Sequence, residues 1–186
     1  MALRDAVLAA LLDSEASGYD LAKGFDASVA NFWMATPQQL YRELDRLAAD
    51  GLIEARVVEQ ERRPNKRMFT LTDAGRKAVH AFTEATPKPL AMRDDLLVQV
   101  STVDSGNAEA VCAGLRDRIQ WTTNQLELYE RIRSRILGGR SEAMFLSEAE
   151  RVGPYLTLMR GIAFEQENLQ WAQQALEVIE RRQPRR

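Results

Sequence analysis

The sequence predicts a mainly α-helical fold with one small β-hairpin: a winged helix-turn-helix domain over residues 1–86, then a long-helix dimerisation domain over residues 87–186. Three observations carry this expectation. Three short helical patterns precede a strand–turn–strand segment and a fourth helix, the order of a winged helix-turn-helix. Two prolines in Ala85-Thr86-Pro87-Lys88-Pro89 stop any helix and divide the chain. The downstream part carries two heptad series of unusual length.

In the first part, Leu3, Val7, Ala10 and Leu11 recur at helical spacing and predict a helix ending near Ser14. Ser17-Gly18 opens a second helix, with Leu21, Ala22 and Phe25 on one face. Thr36-Pro37 starts a third, since threonine caps a helix and proline suits its first position. Leu40, Leu44 and Leu47 lie at i, i+4 and i+7 and form a stripe for burial, and Gly51 ends the helix as a left-handed cap would. Ile53 to Gln60 and Lys66 to Leu71 read as two strands joined by the turn-forming Glu61-Arg62-Arg63-Pro64-Asn65. Thr72-Asp73 then caps a fourth helix running to about Glu84.

The second part reads as one short helix and two very long ones. Leu115, Ile119, Thr122, Leu126, Tyr129, Arg133 and Ile136 step alternately by four and three. Tyr155, Leu158, Ile162, Glu165, Leu169, Ala172, Leu176 and Ile179 step by three and four. Both are heptad seams, interrupted by Arg133 and Glu165, a candidate register-setting pair. Each helix would be about 45 Å long, more than a small domain can cover. The expected cover is the same helices of a second chain, related by a twofold axis. Leu115, Ile119, Leu126, Ile162, Leu169 and Leu176 are the expected dimer contacts. Gly138-Gly139 ends the first long helix. The second starts either at a Ser147–Glu150 capping box or at Gly153-Pro154.

Composition narrows the function. The 186 residues are 28% charged and 45% hydrophobic with a net charge of −2, enough for a core without disulfide or metal. A single cysteine, Cys112, cannot form an internal disulfide, and the apolar stretch Ala6 to Leu12 is too short for a secretory signal. No run approaches the roughly 18 apolar residues of a membrane span. A cytoplasmic protein without membrane contact is expected. One histidine, His80, and one cysteine exclude His- or Cys-rich metal sites and most histidine-dependent triads. With no phosphate-cradling glycine loop or nucleophile elbow either, neither an enzyme nor a bound cofactor is expected.

What the pattern does offer is a nucleic-acid interface. With Leu40, Leu44 and Leu47 buried, a 100° step places Gln38, Arg42, Asp45, Arg46 and Ala49 on the opposite face, flanked by Gln39 and Tyr41. Gln can pair with adenine, Arg with guanine and Tyr with a phosphate in a major groove. Asp45 fits poorly because it repels phosphate; pairing with Arg42 or Arg46, or a bond from cytosine N4, would accommodate it. At the hairpin, Arg62, Arg63, Lys66 and Arg67 form a basic wing suited to salt-sensitive backbone contact. Thr36, Gln38, Gln39, Tyr41, Arg42, Arg46 and these four cations are the expected contacts to double-stranded DNA.

Gly18-Tyr19-Asp20-Leu21, Leu40-Tyr41-Arg42-Glu43-Leu44 with Leu47 and Gly51-Leu52-Ile53, and Phe69-Thr70-Leu71-Thr72-Asp73-Ala74-Gly75 together resemble the PadR-family transcriptional regulators. Arg160-Gly161-Ile162-Ala163-Phe164 and Trp171-Ala172 resemble the helical C-terminal region of that family's larger members. Two positions depart from the pattern: Phe69 stands where the family usually has Tyr, and Arg42 where many members have Pro. The resemblance implies a homodimeric regulator of transcription whose two winged domains read two half-sites, with Tyr41 and the wing cations at the DNA. It also implies, for some members, a phenolic or other small aromatic, drug-like effector. Trp121, Tyr129, Phe164 and Trp171 are the candidate effector residues, weighed against plain interface packing of aromatics. The rival reading is a helical dimer whose winged domain binds another protein instead of DNA.

Overall fold

The computed structural model describes residues 2–25, 35–59, 65–87 and 92–182, which fall into two compact units, Met1–Lys88 and Pro89–Arg186. The predicted placements of Arg62, Arg63 and the Phe25 side chain lie outside the described residues.

The first unit contains α1 (Ala2–Ala10), β1 (Ala16–Ser17), α2 (Gly18–Phe25), α3 (Pro37–Ala49), β2 (Ile53–Val58), β3 (Lys66–Leu71) and α4 (Asp73–Glu84). Helix α1 stops four residues before the expected Ser14, because Leu11 and Leu12 donate to the carbonyls of Leu8 and Ala9 and tighten the chain into a turn. That turn delivers Ala16 and Ser17 to the sheet, which therefore has three antiparallel strands in the order β1-β3-β2, not the two expected. Ala16 pairs with Phe69 and Ser17 with Met68, while Ile53 to Val58 pair with Leu71 to Lys66. Val7, Leu8, Leu11, Leu21, Leu40, Leu44, Leu47, Ile53, Phe69 and Leu71 form one buried core. Gly51 has φ +69, the left-handed conformation expected of it. Gly75, in the first turn of α4, is required by close approach: a Cβ there would lie 2.1 Å from the Leu52 carbonyl oxygen.

The second unit contains α5 (Asp95–Ser101), α6 (Ala108–Leu137), α7 (Glu142–Glu148) and α8 (Gly153–Arg182). Helices α6 and α8 are 30 residues each, about 45 Å long. Gly138, at φ +57, ends α6. The short α7, capped by Ser141, was not anticipated, and it moves the start of α8 to Gly153 and leaves Ser147 inside α7.

The two seams meet each other within one chain. Leu115 packs with Ala172 and Ile179, and Tyr129 with Leu158 and Ile162. Leu115 is fully buried and Ile162 nearly so, so their apolar surface is already covered without a second chain. Ile119, Leu126, Leu169 and Leu176 remain half-buried. The two seam interruptions also find separate partners. Arg133 donates to the Tyr155 hydroxyl (3.3 Å) and pairs with Glu142 (3.0 Å), whereas Glu165 is buried and accepts from Asn168 (3.2 Å). Arg133 lies in the last turns of α6, where α7 folds back, and this places it near Glu142 and away from the middle of α8, where Glu165 sits.

Candidate nucleic-acid interface

Helix α3 is assembled by local rules. Thr36 is extended (φ −69, ψ 151), its Oγ1 accepts from the Gln39 N–H at 3.2 Å, and the Gln39 Oε1 accepts from the Thr36 N–H at 2.9 Å. This reciprocal capping box, with Pro37 in the first turn, fixes where the helix begins. Leu40, Leu44 and Leu47 are buried, so Gln38, Tyr41, Arg42, Asp45, Arg46 and Ala49 are left on the exposed side. Gln39 is exposed too, but its side-chain oxygen is committed to the cap. The Thr-x-x-Gln spacing was a sequence signal for that role.

Tyr41 is 46% exposed, and its ring lies over Gly18, where a Cβ would come within 2.4 Å of the Tyr41 Cε1. A side chain at position 18 would push the ring off α2. The Gly18-Tyr19 start of α2 thus helps hold Tyr41 on the open face.

Asp45 pairs with neither Arg42 nor Arg46. Its Oδ1 accepts from the Arg67 Nη1 at 2.9 Å, across from helix to strand, while the Arg46 Nε sits 3.9 Å from Asp50. Strand parity explains the partner: Arg67, Phe69 and Leu71 share one face of β3, and the latter two enter the core beneath α3. Arg67 lies at the rim of that face, its guanidinium 5.1 Å from the Phe69 ring centroid. The neighbouring Lys66 Nζ is 2.8 Å from the Asp20 carboxylate, which also accepts from the Ser17 hydroxyl at the start of α2. The Lys66 ammonium, with Ser17 helping, holds the Asp20 carboxyl below its ordinary range. On β2, the Arg56 guanidinium does the same for Glu15. Each of the strand cations Arg56, Lys66 and Arg67 thus has an acidic partner on a distant segment of the unit, at sequence separations that no local pattern reveals.

The candidate effector residues have different surroundings. Tyr129 is buried with Leu158 and Ile162, and burial together with the nearby Glu165 charge pushes its phenol up to about 12. Trp171 packs with the Leu115 cluster, Phe164 lies under the Arg160 guanidinium at 5.3 Å, and Trp121 is 53% exposed. Trp171 lines a cavity of about 510 Å³ in the second unit, together with Val100, Val103, Ala108, Val178 and Arg182. Cys112 is buried and its thiol pushed up by burial, which suits a packing role. His80 is exposed beside Glu84. Among the described residues no cluster could hold a metal ion, and no helix is long and apolar enough to cross a membrane.

Comparison with known proteins adds a family. Residues 7–81 match the Transcriptional regulator PadR-like family, and residues 92–180 match the Virulence activator alpha C-term family. The chain thus carries a domain of the PadR-like family of transcriptional regulators. Among its relatives, the negative transcriptional regulator PadR of Bacillus subtilis is 26% identical over 180 residues, covering 96% of this chain and 98% of that one. A probable transcriptional regulator of Mycobacterium tuberculosis is 27% identical over 190 residues, covering 97% and 98%. The structure of Bacillus subtilis PadR in complex with operator DNA superposes with a TM-score of 0.74 at 25% identity, covering 96% of this chain and 99% of that one. The virulence activator AphA of Vibrio cholerae gives a TM-score of 0.71 at 26% identity, covering 96% and 98%. The same Bacillus subtilis protein in complex with p-coumaric acid gives 0.67 at 24% identity, covering 96% and 95%, a likeness of fold. These relatives are regulators, not enzymes, in keeping with the lack of catalytic motifs in the sequence.

Proposed function

We propose that this PadR-type regulator is a homodimeric repressor that reads a pseudo-palindromic operator with α3 in the major groove. The observation that carries this reading is the open side of α3, where Gln38, Tyr41, Arg42 and Arg46 stand exposed on a helix whose start is fixed by its capping box. Two such helices in a twofold dimer would enter grooves about 34–36 Å apart, one turn of duplex. Thr36 and Tyr41 would contact phosphate, with the wing-tip cations Arg62 and Arg63 on the adjacent backbone. The operator complex of the Bacillus subtilis relative supports the reading by kinship.

The dimer surface would rest on seam-edge residues still half-open, Ile119, Leu126, Leu169 and Leu176. An aromatic effector would lift repression by shifting the population of dimer geometries. The complex of the Bacillus subtilis relative with p-coumaric acid supports that chemical class. Of the four candidate residues, Trp171 alone borders the 510 Å³ cavity, a volume suited to a small ligand.

The test is selection of bound duplexes from a random pool, followed by titration of the recovered sequence. Gln38→Ala and Arg42→Ala should each cost about 1–3 kcal/mol at particular operator bases while leaving random duplex less affected. Equal losses on both would move these side chains to phosphate. A protein that shifts no duplex at any salt concentration would favour the protein-interaction reading.

A further inference from the structure

Asp45 poses a problem for the proposed interface. A carboxylate on the open side of a recognition helix faces a polyanion, and repulsion at such range is screened only over about 10 Å at moderate salt. The structure answers it with Arg67. The guanidinium is held on two sides, by the Asp45 carboxylate at 2.9 Å and by the Phe69 ring at 5.1 Å. Strand parity turns it toward α3 along the core-facing side of β3. We propose that Arg67 is a built-in counter-ion for Asp45: it neutralises the one acid on the middle of the open face so that α3 can approach the phosphates, and it acts through Asp45, not by touching DNA. This rests on the DNA-reading function proposed above and changes one role in it. Arg67 becomes a positioning residue, and the wing's grip on the backbone belongs to its tip.

Three simple roles, counter-ion, direct phosphate contact and mechanical clamp, predict different mutant patterns, and the exposure of the ion pair argues against the clamp. As a counter-ion, Arg67 matters only while Asp45 is charged. Arg67→Ala should then weaken duplex binding by about three- to tenfold at low salt by leaving the carboxylate bare. Asp45→Asn alone should bind at least as well as the parent. The double variant, Asp45→Asn with Arg67→Ala, should return to within about twofold of the parent, since no bare charge remains. A direct phosphate contact gives no such coupling: adding Arg67→Ala to Asp45→Asn would cost as much as adding it to the parent. A mechanical clamp would make both single variants and the double equally weak.

The experiment is titration of full-length parent, both single variants and the double variant against the best duplex from the random pool and against random-sequence duplex. Thermal melting of the four proteins separates folding from binding; all four should melt within a few degrees of one another. An effect of Arg67→Ala that vanishes in the Asp45→Asn background, with matched melting, supports the counter-ion. An equal loss in both backgrounds overturns it while leaving the DNA reading intact, provided the parent binds. A parent that binds no duplex overturns the DNA reading, and this inference with it.

Discussion

The two units bury their apolar stripes by different means, and the contrast explains why one was easier to read than the other. In the first unit, four short helices and a three-stranded sheet enclose a common core, and each helix contributes a single stripe. Once Leu40, Leu44 and Leu47 are inside, no element among the described residues covers the opposite side of α3. In the second unit, two 30-residue helices lie against each other, and their seams supply one another's cover over two clusters. Between those clusters sit polar members of the seams, Thr122 and Glu165, both buried. A periodic stripe says that a face will be covered. It does not say which element, or which chain, does the covering.

The largest expected effect tests whether the two cores are separate. Leu44→Ala in the first unit and Leu115→Ala in the second each empty a fully buried position and should each cost about 2–5 kcal/mol. Hydrogen exchange should show the loss confined to the unit that carries the change. Protection lost equally across both units would mean that they melt as one and would break the comparison.

A smaller effect of opposite sign lies in the seam of the second unit. The Thr122 hydroxyl is buried and has no hydrogen-bond partner among the described residues. Thr122→Val keeps the shape and removes the unsatisfied group, so chemical denaturation should show a gain of about 1 kcal/mol. A loss would show that the hydroxyl meets a partner in solution, and that this layer of the seam is built around it.

The smallest effect is a pH dependence. The Arg118 guanidinium, 2.8 Å away, and the Leu96 N–H hold the Asp94 carboxyl below its ordinary value of 3.8, with burial opposing in part. A depressed carboxyl stabilises the fold above its unfolded value, and that contribution disappears as the pH falls through the folded one. Melts of the second unit between neutral pH and pH values below 3.8 should therefore show an acid-induced loss that Asp94→Asn reduces. Asparagine still caps α5, so the neutral-pH difference between the two proteins isolates the ion pair. An unchanged acid profile in the variant would assign the acid loss to other groups.

Much of the candidate interface was legible because its rules are short-range. Thr36, Pro37 and Gln39 lie within four residues, and the three leucines repeat within two turns, so the cap and the buried stripe could be read directly. The partner of Asp45 could not: Arg67 is 22 residues away and arrives by strand pairing. Strand β1 escaped notice because two residues carry no alternation. Helix α7 was hidden by the pull of a longer neighbouring pattern, although Ser141 supplies its cap.

By itself, then, the order of residues determined where helices start and stop and which of their sides is apolar, because capping bonds and i, i+4 neighbours are decided within one or two turns of chain. Only the tertiary structure decided that α6 and α8 would serve as each other's cover, and that Arg67 on β3 would turn to Asp45 on α3. Those outcomes depend on contacts between segments far apart in sequence, where many pairings satisfy the same local pattern and packing selects among them.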